Sequence, residues 1–193
     1  MFEDVEEILI ETETIAKRVE ALAAEIGHDL ARLQDKDESL VIVPILTGSL
    51  VFVADLVRCM PQKMRIGVTS VTSYPGKSTE SIGASLVGDL PEDLEGRHVL
   101  IVDDIFDTGR TVSLLRDLIK ARNPASIRVC VLLRKLDRVE VEVQPDYVGF
   151  DIPDHFVVGY GLDFDGHYRN LPYIGTLAPH AINPTGESRT DAP

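Results

Sequence analysis

Basic charge is scarce in this sequence beside its acidic charge. Its 193 residues carry 19 Lys and Arg against 32 Asp and Glu, a formal net charge of -13. A surface of that sign cannot neutralise a phosphate backbone, so nucleic acid is not an expected partner. Small phosphorylated ligands are not excluded, because they need only a local pocket. Cysteine is scarce as well. Cys59 and Cys130 stand alone, in no CxxC pair and with no His at metal-ligand spacing. Two free thiols fit a reducing cytoplasm, and Cys130, inside SIRVCVLL, reads as a small buried hydrophobe. The five histidines are scattered singly, which disfavours a His-built metal site. No apolar run is long enough to span a membrane, so none is expected as a partner. The opening MFEDVEEILI is acidic, unlike a signal or transit peptide. There is no internal repeat.

What is present is enough for one well-buried domain. Hydrophobic residues make up 44% and charged residues 26%, a globular profile. Ile15, Val19, Leu22, Ile26 and Leu30 recur at helical spacing, with Thr12 as the expected N-cap. SLVIVPIL is a continuous apolar run of strand length, as expected where both sheet faces are covered. It breaks at Thr47-Gly48-Ser49, and LVFVADLVRCM then reads as a helix. MRIGVTSVTSY reads as one strand and IGASLVGDL as another, with PGKSTES between them as the tip of a hairpin. VLIV is a strand, TVSLLRDLIKARNP a helix stopped by Asn123-Pro124, SIRVCVLL a strand, and DYVGF the last strand. From Gly159 onward an irregular cap is expected, and residues 181–193 have little to bury and read as a flexible tail. Strands alternating with helices predict an α/β fold with a mostly parallel twisted sheet flanked by helices.

The stretch HVLIVDDIFDTGRT is not generic. An apolar strand runs into Asp103 and Asp104, then Asp107, then a Thr-Gly-Arg-Thr turn that enters a helix. Ligands of such sheets gather beyond the carboxyl ends of the strands. A helix start offers unpaired N–H groups and the positive end of the dipole, a cradle for phosphate. Gly109 permits close backbone approach, and Thr108 and Thr111 add hydroxyl donors. Neighbouring strand residues point to opposite faces, so one of Asp103 and Asp104 is expected at ligand or metal while the other supports the loop. Asp107 taken alone would be an N-cap or Asx-turn residue. Three acids before this turn favour a site.

VLIVDDIFDTGRT resembles the phosphoribosyl-pyrophosphate (PRPP) signature of the type I phosphoribosyltransferases. The remainder resembles their hypoxanthine-guanine branch over residues 3–177. LTGS stands where that family has its pyrophosphate loop, SYPGKSTES resembles its mobile lid with a Ser-Tyr pair, and RKLDRVEVEVQPDYVGFDIPDHFVVGYGLDFDGHYRNLPYIGTL resembles its purine-binding and hood segment. The resemblance implies a single domain over residues 1–180, its small hood formed by the N-terminal segment and about residues 159–180. Asp103 and Asp104 would hold the ribose hydroxyls of PRPP, directly or through Mg²⁺. Asp107, Thr108, Gly109, Arg110 and Thr111 would wrap the 5′-phosphate, and Asp107 would also be the catalytic acid or base at purine N7. Lys135 would donate to the purine 6-oxo group. An ammonium has donors only, so it suits a carbonyl and mismatches the amino group of adenine. Without the resemblance Lys135 reads as a solvated surface lysine.

Phe156 would stack on the base and the Val157 backbone would read its edge. Asp163 would bind a Mg²⁺ carried by the pyrophosphate, Arg169 would pair with the pyrophosphate itself, and Thr47 and Gly48 would contact it. Ser73 and Tyr74 would sit in the lid and exclude water. The family's usual Glu-Asp is Asp103-Asp104 here, and its frequent Lys or Arg in the pyrophosphate loop is Thr47, leaving Gly48 and Ser49 as donors there. A non-proline cis peptide is expected at Leu46-Thr47. The implied activity is purine salvage: hypoxanthine or guanine plus PRPP gives the nucleoside monophosphate and pyrophosphate, in a cytoplasmic homodimer or homotetramer. The rival is a non-catalytic regulator that senses PRPP or nucleotides on the same fold. A receiver-type signalling domain also ends a strand in paired acids, but it lacks the Thr-Gly-x-Thr turn.

Overall fold

A computed structural model describes residues 2–32, 40–73, 84–87 and 89–182. Its large sheet grows from the apolar runs. Strands β2 (Leu40–Leu46), β6 (His98–Phe106) and β7 (Ser126–Arg134) lie side by side and parallel at its centre. Alternate residues of each strand enter opposite cores. Ile42, Leu100, Val102, Cys130 and Leu132 pack under helices α1 (Thr12–Ala31) and α2 (Leu50–Cys59). Val41, Val43, Ile101, Val129 and Val131 pack with Val112, Leu115 and Ile119 of α3 (Arg110–Lys120). Both faces are covered, which is why these strands read as unbroken apolar runs rather than alternating ones.

The rest of the sheet extends from this centre in the order β5-β4-β2-β6-β7-β8, where β4 is Thr69–Ser73, β5 Ala84–Val87 and β8 Tyr147–Asp151. Only β4 and β5 pair antiparallel, as the expected hairpin. Its tip, with Tyr74, lies outside the described residues. The single strand expected over MRIGVTSVTSY is two: β3 (Met64–Ile66) and β4 both run parallel to β2, along successive stretches of it. The break comes at Gly67, whose N–H donates to Ile42 O, and where a side chain would collide with Pro91.

A second, three-stranded sheet forms the hood. Strand β1 (Val5–Ile10) pairs with β10 (Ile174–Leu177), which pairs with β9 (Val157–Val158), all antiparallel. The irregular cap expected after Gly159 therefore contains a strand, and the acidic N-terminal segment supplies its partner. Val158, Leu171 and Leu177 are its buried core. Thr12 is not the N-cap of α1. Glu11 holds that position, and Thr12, the first helical residue, donates its hydroxyl to Pro172 O (3.1 Å), tying the helix start to the hood. At the far end α4 (Pro179–Ile182) includes the first two residues of the expected tail; residues 183–193 lie outside the described part.

Candidate active site

The carboxyl ends of β2 and β6 and the turn into α3 converge on a cavity of about 410 Å³. Its floor is the acid pair. Asp103 is buried, and its Oδ1 accepts a hydrogen bond from the Asp104 N–H (3.1 Å). Asp104 points at the loop after β2: a Cβ added to Gly48 would fall 1.9 Å from Asp104 Oδ2. Asp103 thus bonds to the strand's own backbone, Asp104 lies against the 47–49 turn, and both line the cavity. Burial first, and then the negative Asp104 beside it, pushes the Asp103 carboxyl well above its ordinary range. Burial also raises Asp104, while the charge of Arg169 pulls the other way. Two desolvated acids with so little cationic compensation are a place where a cation gains affinity.

Asp107, Thr108, Gly109 and Thr111 line the same cavity. Helix α3 has Gly109 as N-cap, at φ 80° and with no side-chain cap, so Asp107 does not cap it. Glycine is required there, because a Cβ would meet Val141 and Phe106 as well as the positive φ. Asp107 Oδ1 instead accepts from Arg138 Nε (2.9 Å). Arg110 turns away from the cavity to Glu140 (2.5 Å), and its N–H lies 3.5 Å from the Thr108 hydroxyl.

Leu46-Thr47 is a cis peptide, as expected. Thr47 is exposed and Gly48 borders the cavity. Ser49 is not available as a donor: it is fully buried and its hydroxyl bonds to Ile45 O (2.6 Å), inside the turn. From the hood, Asp163 lines the cavity, with Arg169 behind it as its ion-pair partner. These two are paired with each other (2.7 Å), and Arg169 also donates to Gly161 O (2.6 Å), while Asp163 accepts from Gly166 N–H (2.8 Å).

Lys135 follows β7 and is buried, not the solvated lysine of the bland alternative. Its Nζ donates to Asp154 Oδ1 (3.0 Å). That bond, more than the other nearby cations, holds the Asp154 carboxyl below its ordinary value. Phe156 is 52% exposed, its one described ring contact an edge-to-face approach to Phe164 at 5.5 Å, so one ring face is open to a flat ligand. Val157 is buried in β9. Ser73 ends β4. Arg138 and Asp154 were not singled out in the sequence. The available signal was weak: two basic residues three apart in RKLDR, and an acid two before Phe156.

Among the described residues no group of three acidic, His or Cys side chains is close enough to hold a metal alone. The carboxylates that line the cavity, Asp103, Asp104 and Asp163, are hard oxygen donors of the kind that meet a cation one or two at a time when it arrives with a phosphate ligand.

Comparison with known proteins agrees with this geometry. The phosphoribosyl transferase domain family matches residues 5–165. The hypoxanthine-guanine phosphoribosyltransferase of Mycobacterium tuberculosis (strain H37Rv) is 46% identical over 178 residues, covering 91% of this chain and 88% of that one. The enzyme of the same name from Bacillus subtilis is 41% identical over 180 residues, 93% of this chain and 97% of its own. A solved structure of Trypanosoma cruzi hypoxanthine phosphoribosyl transferase, determined to study its C-terminal region, oligomeric state and activity, superposes with a TM-score of 0.87. It is 36% identical and covers 94% of this chain and 95% of that one.

Proposed function

The chain belongs to the phosphoribosyltransferase family, on its hypoxanthine-guanine branch, and from that premise we propose that it salvages 6-oxopurines by transferring the ribosyl phosphate of PRPP to hypoxanthine or guanine. The products are the nucleoside monophosphate and pyrophosphate. The observation that carries this is the Asp103–Asp104 pair at the end of β6, Asp103 buried and Asp104 half-buried, running straight into a glycine-capped helix start, with buried Lys135 just past the end of the neighbouring strand.

In this reading the N–H groups and hydroxyls of residues 107–111 bind the 5′-phosphate. Asp103 and Asp104 orient the ribose hydroxyls. Lys135 donates to the 6-oxo group, Phe156 stacks on the base, and the Val157 backbone reads its edge. The anomeric C1–O bond to pyrophosphate breaks through an oxocarbenium-like state, and purine nitrogen takes C1. Asp107 moves the proton at N7. Gly48 and Thr47 meet the pyrophosphate from below, and Arg169 meets it from the hood, which requires its bond to Asp163 to be shared or exchanged. Mg²⁺ brought in with PRPP would be met by Asp103 and Asp104 on the ribose side and by Asp163 on the pyrophosphate side, and would supply charge neutralisation for the departing pyrophosphate. Ser73 and Tyr74 belong to a lid that keeps water, a competing nucleophile, from C1.

Two coarser features support the setting. No described helix is long and apolar enough to cross a membrane, and Cys59 and Cys130 are free thiols, in keeping with a cytoplasmic enzyme. Leu50, Ile66 and Val68 are more than half exposed, apolar surface of the kind a homodimer or homotetramer covers. A non-catalytic sensor on the same fold is disfavoured, because the relatives are named as enzymes.

The test is direct. The purified chain, given Mg²⁺, PRPP and each 6-oxopurine, is expected to release nucleotide and pyrophosphate. Asp107→Asn is expected to lower kcat by about 10²–10⁴-fold while PRPP still binds, the range for loss of a general acid–base group. PRPP binding with no nucleotide formed from any purine would leave the sensor.

A further inference from the structure

Four charged side chains form an alternating line along one side of the site. Asp107 Oδ1 accepts from Arg138 Nε at 2.9 Å. Arg138 Nη1 lies 3.7 Å from Asp154 Oδ2, and Asp154 Oδ1 accepts from Lys135 Nζ at 3.0 Å. The two ends are the residues assigned above to neighbouring atoms on one edge of the purine, N7 and the 6-oxo group. The two middle members have no role in the transfer as described. We propose that Arg138 is a positioning residue: it fixes the Asp107 carboxylate by one oxygen and, through Asp154, ties it to Lys135, so that both purine-reading groups are set before the base arrives. This rests on the functional reading of Asp107 and Lys135 given above.

Three features of the geometry support it. The backbone that carries Arg138 is held in place: Lys135 N–H donates to Phe106 O (3.0 Å), Arg138 N–H to Lys135 O (3.2 Å), and Glu140 N–H to Thr108 O (3.0 Å). The short turn that carries Arg138 is thereby strapped onto the loop that carries Asp107. Second, Arg138 bonds only one oxygen of Asp107. Oδ2 has no partner among the described residues, and Asp107 borders the cavity. A carboxylate held by one oxygen keeps its orientation and leaves the other oxygen free to face a ligand in the cavity. Third, the pair is too exposed to matter much for folding. The side chains of Arg138 and Asp107 are 46% and 37% exposed, and ion pairs of that kind add little to stability. Orientation is what it can supply, and small errors of orientation at a reacting group are costly.

The experiment compares Arg138→Gln, Arg138→Lys, Asp107→Asn and the Arg138→Gln/Asp107→Asn double variant. For each, kcat and KM are measured with hypoxanthine and Mg²⁺-PRPP, together with the PRPP dissociation constant and the unfolding midpoint. Arg138→Gln is expected to lower kcat by about 10-fold or more, on the scale of a misplaced catalytic group. Its PRPP affinity and unfolding midpoint should stay near wild type. Arg138→Lys, which keeps the charge, should fall between. In the Asp107→Asn background Arg138→Gln should have no further effect, because a group acting through Asp107 has nothing left to position. Wild-type kcat in Arg138→Gln, beside a crippled Asp107→Asn, overturns the positioning role and leaves the functional reading intact. The same fold-loss from Arg138→Gln with and without Asp107 also overturns it, since the arginine would then act independently. Near-normal turnover by Asp107→Asn removes the functional reading of Asp107 and the proposal together.

Discussion

Gly161 is the point where hood and core touch backbone to backbone. It sits at φ +103°, and a Cβ there would fall 2.1 Å from the carbonyl oxygen of Gly48, inside the 3.0 Å that Cβ atoms essentially never breach. Gly161→Ala must therefore push the two backbones apart by about 0.9 Å, the difference between those distances. Neither side can yield by turning a side chain. The displacement carries Arg169 with it, because Arg169 Nη1 donates to Gly161 O and Gly161 N–H donates to Arg169 O. Two effects follow. Holding alanine at that φ costs about 1–3 kcal/mol of stability. Moving the pyrophosphate-side arginine by about an ångström should lower kcat/KM for PRPP by about 100-fold. Gly96→Ala separates the two: Gly96 has φ +67°, but nothing lies within 4 Å of its would-be Cβ, and it is remote from the cavity. It should show the strain without the loss of catalysis. Urea unfolding and steady-state nucleotide formation read both quantities. If Gly161→Ala matched Gly96→Ala in kcat/KM, the hood's backbone contact would have no part in holding the site.

Lys135→Ala should damage use of every 6-oxopurine and leave Mg²⁺-PRPP binding nearly intact. Loss of a charged donor is worth about 1.5–3 kcal/mol, or about 10- to 100-fold in kcat/KM; unchanged kinetics for all purines would refute the assignment. Thr47→Lys restores a base to an exposed position at the cavity mouth, and should tighten pyrophosphate by a few-fold, about 1 kcal/mol or less. Titration at rising salt should erase that gain, and no gain at low salt would mean the side chain at 47 does not face the anion.

The central sheet was legible because its strands are covered on both faces, so Leu40–Leu46 and Ser126–Arg134 read as apolar runs with no help from distant residues. The acid pair was legible for the opposite reason: Asp103 and Asp104 violate the chemistry of a buried strand. The hood strands were not. β1 has only Ile10 fully buried, and its outward acids break any simple alternation; β10 is four residues long and finds its partner at the other end of the chain. The split at Gly67 hides in a run whose flanking residues, Ile66, Val68, Thr69 and Val71, favour strand on both sides of it. Ser49 looked like a donor because hydroxyls in such loops often are, and only the turn geometry shows its bond to Ile45. Arg138 and Asp154 were invisible in the same way, since their meeting depends on where two loops end.

The pairing of Val5 with Leu177 has a meaning for how the chain comes into being. Nearly the whole polypeptide lies between those two residues. The entropy of closing so large a loop grows only with the logarithm of its length, so the finished hood is not much weaker for it. The delay is kinetic. Of the described strands β1 is the first to leave the ribosome and the one that waits longest, since its sheet partner among them, β10, is the last to be made. The parallel core can assemble from β2 to β8 while the hood is still two loose ends. A nascent chain stalled before residue 174 would already own its acid pair and its helix-start cradle, but Arg169 would hang from an unanchored segment. On the proposed function, the hood's side of the pyrophosphate site is then the last part of the molecule to form during synthesis.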